Sequence, residues 1–273
     1  MKRSPAVAGQ FYQGTASKLT QQVRQYININ AVKEHAIGIL SPHAGLIYSG
    51  SVAGEVYSAI EFPKTFVLLG PNHTGLGPKI SMMASGEWEI PTGVFSVDEK
   101  LSRKIASNTP IISTDANAHT FEHSLEVQLP FIAYFSTEPK IVPITVMSVS
   151  LEECRMLGEG IAKSIQSVIA SSVERYSVVI VASSDMSHYV ADDVARQKDK
   201  KAIEMIKSLN PEGLYTVVSR ERISMCGYLP ATIMLFAAKA LGAIEARLIK
   251  YSTSGEVSGD YDQVVGYAGM IVK

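Results

Sequence analysis

Short apolar, β-branched runs alternate with longer stretches of helical periodicity along the whole chain. Three of the runs are almost entirely apolar, which is typical of strands buried on both faces of a sheet. The runs cover residues 36–41, 65–70, 140–147, 177–183, 246–251 and 264–272. The helical stretches cover residues 16–28, 49–61, 98–107, 122–135, 151–172, 192–208 and 229–241. This alternation predicts one domain over residues 1–273, a three-layer α/β/α fold with a mixed, mostly parallel central sheet.

Local signals add detail to this pattern. Ser150 and Glu153 have the spacing of a capping box, and Asn210 before Pro211 is typical of the start of a short helix. Residues 86–97 are rich in turn formers and predict a hairpin. Little lies between the last two apolar runs except Ser, Gly and Asp, so we expect those two strands to be antiparallel.

Composition excludes several classes of protein. The chain has 25 Lys plus Arg against 26 Asp plus Glu, and this balance gives no sign of a nucleic-acid partner. The two cysteines cannot form a disulfide scaffold. No apolar stretch approaches the roughly 18 residues of a membrane span, and no signal peptide is recognisable. We therefore expect a soluble, cytoplasmic protein that acts without a membrane.

Three histidines directly follow three of the apolar runs. His43 comes after the first run, His73 after the second and His188 after the fourth. Ligands bind beyond the carboxyl ends of parallel strands in α/β sheets. If these strands are parallel and close together, the three histidines converge on one site.

Imidazole is the commonest metal ligand, but two imidazoles leave a transition ion short of donors. Cys226 is the best remaining soft donor, and a set of two His and one Cys suits Zn, Fe or Cu. Glu122 or Asp185 is the alternative third donor, which would give the facial triad of non-haem iron oxygenases. Three protein ligands leave coordination positions open, as in catalytic sites.

His188 is alternatively a general acid or base, with Asp185 orienting its ring. His119, Glu122, His123 and Glu126 form a second cluster. On a helix, their spacing would place His119 beside Glu122 and His123, either next to the site or on a solvated face. No phosphate-binding loop, serine nucleophile elbow or dinucleotide fingerprint is present, which disfavours those enzyme classes.

Several segments together resemble the Memo family, known in prokaryotes as AmmeMemoRadiSam system protein B. They run in order over nearly the whole chain: Arg3–Gly9, Phe11–Tyr12, Ser41–Gly45, Tyr48–Gly50, Leu69–His73, Glu122–Pro130, Ser183–His188, Cys226–Gly227 with Pro230, and Gly266–Gly269. The family is similar in fold to the class III extradiol ring-cleaving dioxygenases, so the resemblance implies a LigB-like α/β fold.

The resemblance also implies the site. It puts the metal on His43, His73 and Cys226, and it puts His188 in the acid/base position with Asp185 and His123 nearby. Fe(II) is the favoured ion, copper is an alternative and zinc a weaker one. The predicted pocket adds the following neighbours: Tyr48, Asn72, His119, Glu122, Tyr189 and Tyr228.

For function, the resemblance implies a metal-dependent, dioxygenase-like oxidoreductase acting on a small, catechol-like substrate. Cys226 stands where the dioxygenases have Glu, and a thiolate near Fe(II) and O2 is itself oxidisable. The alternative is a non-catalytic module that binds a peptide or protein partner in the same cleft. The family's prokaryotic name further implies a radical-SAM protein and a third component as partners. A zinc hydrolase is a weaker alternative.

Overall fold

The computed structural model describes residues 1–171 and 177–273, in which strands and helices alternate. The strands of these residues are β1 (Lys2–Arg3), β2 (Gly38–Ser41), β3 (Thr65–Pro71), β4 (Ile80–Met82), β5 (Glu87–Ile90), β6 (Gly93–Val97), β7 (Ser113–Thr114), β8 (Lys140–Val146), β9 (Val178–Ser183), β10 (His188–Val190), β11 (Ala246–Thr253) and β12 (Val264–Val272). The α-helices are α1 (Ala16–Arg24), α2 (Leu46–Ser58), α3 (Glu99–Asn108), α4 (Leu129–Phe135), α5 (Leu151–Ser171), α6 (Asp192–Lys207), α7 (Pro211–Arg220), α8 (Tyr228–Ala240) and α9 (Gly255–Ser258).

The centre of the sheet is parallel, in the order β6-β8-β3-β9-β2. Beyond β2, the strand β12 is antiparallel and pairs in turn with β11 and β10. The hairpin of β5 and β6 and the short strand β1 lie toward the other edge. The predicted mixed, mostly parallel sheet and the antiparallel C-terminal pair are therefore confirmed.

Two apolar cores lie on opposite faces of this sheet. In β3, the side chains of Val67 and Leu69 enter one core, while those of Phe66 and Leu68 enter the other. Side chains alternate between the two faces of a strand, so a strand covered on both faces is apolar throughout. Helices α3 and α5–α8 cover the first face, and α1, α2 and α4 cover the second. This is the predicted three-layer α/β/α architecture.

Two of the predicted helix starts have the predicted caps. The Ser150 amide donates to Glu153 Oε2 at 2.7 Å, and the Glu153 amide donates to Ser150 Oγ at 3.2 Å. Asn210 Oδ1 accepts from the Gly213 amide at 2.8 Å, which caps α7. Residue 172, the predicted last residue of α5, lies outside the described residues. None of the helices in the described ranges combines the length and apolar character needed to cross a bilayer.

The predicted helix over 122–135 is wrong before Leu129. From Asn117 to the start of α4, the chain forms only two single 3-10 turns, Asn117–His119 and Glu126–Gln128. The Ser124 amide donates to Glu122 Oε1 at 2.9 Å, and Ser124 Oγ donates to the Pro71 carbonyl at 2.9 Å. Such side-chain bonds compete with helical hydrogen bonds. As a result, His119, Glu122 and His123 do not share a helix face.

Candidate metal centre

Three neighbouring parallel strands, β3, β9 and β2, end at the same edge of the sheet. His43 lies two residues after β2, His73 two residues after β3, and Asp185 two residues after β9, the strand between them. The His43 and His73 ring centroids are 5.3 Å apart. The expectation that these strand ends meet is confirmed, although His43 and His73 are 30 positions apart in the chain.

A third imidazole, that of His123, completes a compact cluster with His43 and His73. One ring nitrogen from each of the three lies within 4.8 Å of the others. The His123 ring is stacked on that of His73, with centroids 4.6 Å apart. Imidazole nitrogens bind a transition ion at about 2.0–2.1 Å, so the three rings are close enough for one ion to fit between them.

The Cys226 thiol adjoins the same cluster. Its Sγ lies 3.3 Å from His43 Nε2 and accepts a hydrogen bond from the Asp185 amide at 3.3 Å. The next residue, Gly227, lies against the end of β9, where a Cβ would come within 2.2 Å of the Ser183 carbonyl oxygen. Glycine is therefore required for this loop to reach the site. Burial raises the pKa of the Cys226 thiol, so it is neutral until a cation displaces its proton.

The fully buried Glu122 carboxylate orients His73. It accepts from His73 Nδ1 at 2.9 Å and from the His73 amide at 2.5 Å. Burial acts to raise the pKa of Glu122, but the hydrogen bonds and charge of His73 and the Ser124 amide outweigh it and lower this pKa to about 2. An ionised carboxylate only accepts hydrogen bonds, so Nδ1 of His73 carries a proton, and Nε2 is the ring nitrogen that a metal ion would bind.

His43 is 1% exposed, and burial together with the neighbouring His123, His73 and His188 holds its pKa well below the ordinary value. Its ring is therefore a neutral imidazole, the form that binds metal. Asp185 supports the loop, since its Oδ1 accepts from the His43 amide at 2.8 Å and the Ala44 amide at 3.3 Å. The His43 Nδ1 atom is 2.9 Å from Ser183 Oγ, a hydroxyl that can donate or accept.

His188 lies across a cavity of about 600 Å³ that opens beside the cluster. Its Nδ1 is 2.8 Å from the Ser224 carbonyl, and its amide donates to Ser224 Oγ at 2.7 Å. A carbonyl only accepts, so Nδ1 carries a proton, and Nε2 is the ring nitrogen left to contact a molecule in the cavity. The other lining side chains include Asp185 and four aromatic rings, those of Phe11, Tyr48, Tyr189 and Tyr267.

The remaining residues of the predicted pocket are placed differently. Glu122 supports His73 from behind, and Asn72 Oδ1 accepts from the amides of Thr74 and Gly75 at 3.0 Å, which shapes the loop after β3. Tyr228 opens α8 and packs on Tyr215.

His119 is fully buried behind the site against Trp88, with ring centroids 5.6 Å apart. Burial, assisted by Arg3, lowers the pKa of His119 to about 4.

Sequence reasoning did not single out Phe11, Tyr267, Ser183 or Ser224 as individual site residues. The Phe11 ring contacts His123, with centroids 4.7 Å apart. Phe11, Tyr267 and Ser183 each fall inside a segment that carries the family resemblance, and that was the available signal. For Ser224, only its position two residues before Cys226 hinted at a role.

The sequence model of the protein family described as Memo-like protein matches residues 3–271 of this chain. The chain belongs to the Memo family. A MEMO1 family protein of Methanopyrus kandleri is 39% identical over 287 residues, which cover 100% of this chain and 99% of the relative. A MEMO1 family protein of Aquifex aeolicus is 44% identical over 273 residues, with 98% of each chain covered.

Among solved structures, an uncharacterised protein of Escherichia coli K12 superposes with a TM-score of 0.57. The match covers 86% of this chain and 98% of that protein at 13% identity. At this identity the likeness shows that the Memo-family chain shares its fold, and the chemistry has to be argued from the site itself.

Proposed function

We propose that this Memo-family protein binds one redox-active transition ion through His43, His73 and Cys226 and acts as a metal-dependent, dioxygenase-like oxidoreductase. The observation that carries the proposal is the convergence of the imidazoles at one sheet edge, with the Cys226 thiol in contact with His43. His43 and His73 line a cavity of about 600 Å³, which would give a substrate access to a bound ion.

The donor set decides which ion is favoured. Imidazole is a borderline donor and thiolate a soft one, and such a set favours iron or copper over Mg²⁺ or Ca²⁺. We favour Fe(II), with copper as the alternative and zinc as the weaker one. The His123 ring nitrogen lies within 4.8 Å of those of His43 and His73, so His123 would be either a fourth ligand or a ring that closes one side of the site.

Around the ion, the protein's own groups have separate tasks. Glu122 fixes the ring of His73, and the Asp185 carboxylate fixes the backbone of His43. His188 Nε2 accepts a proton from a substrate hydroxyl, because its Nδ1 is committed to the Ser224 carbonyl. The rings of Phe11, Tyr48 and Tyr267 suit a flat, catechol-like substrate. A bound iron ion would supply the electron-transfer capacity that these residues lack.

A second candidate is a binding module that holds a peptide or protein partner without catalysis. The Tyr189 side chain at the cavity rim favours this binding role, because 73% of this residue is exposed. The Tyr189 backbone has a φ of 55°, in the left-handed region that residues other than glycine rarely adopt. Exposed tyrosines are common anchors in protein interfaces.

The experiment that tests the enzyme is anaerobic purification without an affinity tag, followed by elemental analysis and loading with Fe(II) or Cu(I). We expect about one ion per chain, loss of the ion in Cys226→Ala, and retention in Cys154→Ala, which removes the other, buried thiol. O2 uptake with a panel of catechols should follow metal content and fall in His188→Gln, which keeps the metal.

Two results would count against the proposal. A metal-free protein after loading would remove the site, and full turnover by His188→Gln would remove the proton-transfer role. If His123→Gln loses the ion while Cys226→Ala keeps it, the third ligand is His123. A loaded protein without O2 uptake that retains a tyrosine-containing peptide would favour the binding module.

A further inference from the structure

We infer that Ser183 is a positioning residue of the metal site: its hydroxyl donates to the Ser124 carbonyl, accepts from the Gln128 amide, and holds the His43 proton on Nδ1, which leaves Nε2 as the metal-binding atom. The inference rests on the proposed role of His43 as a ligand. It adds to the site three buried groups that do not touch the cavity. They are the hydroxyl of Ser183, the last residue of β9, and the Ser124 carbonyl and Gln128 amide from the segment before α4.

The Ser183 hydroxyl has one proton and two lone pairs, and three groups surround it. Ser124 O lies 2.6 Å from Oγ, Gln128 Nε2 lies 2.8 Å away, and His43 Nδ1 lies 2.9 Å away. A carbonyl can only accept, so the single hydroxyl proton goes to Ser124. Both lone pairs then face nitrogen atoms, which must each supply a proton.

The orientation of the Gln128 amide is fixed independently of His43. Its Nε2 donates to the Pro42 carbonyl at 2.9 Å, and its Oε1 accepts from the Tyr57 hydroxyl at 3.1 Å. Turning the amide over would set two carbonyl oxygens against each other at Pro42. The NH₂ group therefore faces Ser183 and occupies one of its lone pairs.

Only one lone pair of Ser183 remains for His43, so His43 Nδ1 must donate. In a neutral imidazole the other nitrogen, Nε2, is then unprotonated. This nitrogen faces the Cys226 thiol at 3.3 Å, where the S–H group is the donor until a metal replaces its proton. His43, Ser183, Gln128, Ser124 and Tyr57 are each at most 1% exposed, so water does not compete for these bonds.

The test is long-range ¹H–¹⁵N correlation NMR of the metal-free protein labelled at histidine nitrogens, at neutral pH. Protonated and unprotonated ring nitrogens resonate far apart, and a His43→Gln spectrum identifies the His43 signals. We expect the Nδ1–H tautomer in the wild type and a substantial Nε2–H population in Ser183→Ala. Zn²⁺ affinity, measured by competition with a chromophoric chelator, should fall about 10–100-fold in Ser183→Ala.

Gln128→Met is the matched control, because it removes a hydrogen bond from the same hydroxyl but leaves the Ser124 carbonyl and the lone pair that faces His43. It should keep the Nδ1–H tautomer. An Nε2–H tautomer in the wild type would overturn the inference even if Ser183→Ala fails to fold. An unchanged tautomer in Ser183→Ala, or an equal shift in Gln128→Met, would also overturn it. Because the spectra need no metal, a wild type that binds no ion refutes the proposed function while leaving the tautomer result intact.

Discussion

Glu122 and Glu126 lie four residues apart on one segment, and both carboxylates are fully buried, yet they are bonded in opposite ways. Glu126 is paired with the Arg3 guanidinium and also accepts from the Tyr12 hydroxyl at 2.5 Å and the Ala6 amide at 2.8 Å. Glu122 accepts from the His73 ring and from two amides. One carboxylate thus has a permanent cation as its partner, and the other has a potential metal ligand.

The difference in partners indicates two roles: Glu126 anchors the N-terminal segment to the fold, and Glu122 orients a potential metal ligand. Arg3 also donates to the carbonyls of His119 and Glu122 at 2.7 Å and lies 4.1 Å from the centroid of the Trp88 ring. The N-terminal segment is thereby fixed to the loop that carries His123, and its Phe11 reaches that ring. Glu126 acts on the fold, whereas Glu122 acts on a donor atom, and the two should respond differently to the same substitution.

The largest effect is expected from Arg3→Met. Removing one partner of a buried ion pair leaves an uncompensated charge and costs about 3–5 kcal/mol. We therefore expect the free energy of unfolding, measured by urea titration, to fall by about that amount. The double variant Arg3→Met with Glu126→Gln should recover part of the loss, because the orphaned charge is then gone. A loss in Arg3→Met below about 1 kcal/mol would show that the pair is not an anchor.

A smaller effect, confined to the metal, is expected from Glu122→Gln. A carboxylate behind a ligating histidine raises the basicity of that ligand, and its loss typically lowers metal affinity 10–100-fold. Glu126→Gln is the matched control, with the same substitution on an equally buried side chain of the same segment. It should lower the free energy of unfolding but leave the affinity for Zn²⁺ unchanged. Equal losses of affinity in both variants would erase the distinction between the two carboxylates.

The sequence predicted the part of the site that follows from strand order. Runs 36–41 and 65–70 could be recognised as strands, and His43 and His73 were therefore expected to lie at strand ends. Their meeting depended on β9 pairing between β2 and β3, which parallel topology favours but does not dictate.

Contacts that depend on tertiary structure could not be predicted in the same way. The helical spacing of 119–126 suggested one shared face, but Glu122 bonds the loop after β3 and Ser124 bonds the last residue of β3, and these bonds replace helical ones. The Cys226 thiol reaches His43 over 183 positions only because Gly227 permits close approach to β9. Gln128 lies in the segment Glu122–Pro130 that carries the family resemblance, and only the structure shows which groups it bonds.

The smallest expected effect concerns a third carboxylate, Glu34, which is partly exposed. It accepts from Lys273 Nζ at 2.6 Å and from Arg247 Nε at 2.9 Å, side chains that are 33% and 46% exposed. Burial acts to raise the pKa of Glu34, but the hydrogen bonds from Lys273 and Arg247 outweigh it, and the pKa lies below its ordinary value.

A lowered pKa in the folded state stabilises the fold above the unfolded-state pKa of about 4.3, and this contribution is lost as the pH falls through the folded-state pKa. Because the pair is solvent-screened, Glu34→Gln should cost only about 0.5–1 kcal/mol of unfolding free energy at pH 7, and the difference from wild type should shrink as the pH falls below about 4.3. Urea titrations of both proteins between pH 3 and pH 7 measure it. A cost as large as that of Arg3→Met would mean that burial is not what separates an anchoring carboxylate from a surface one.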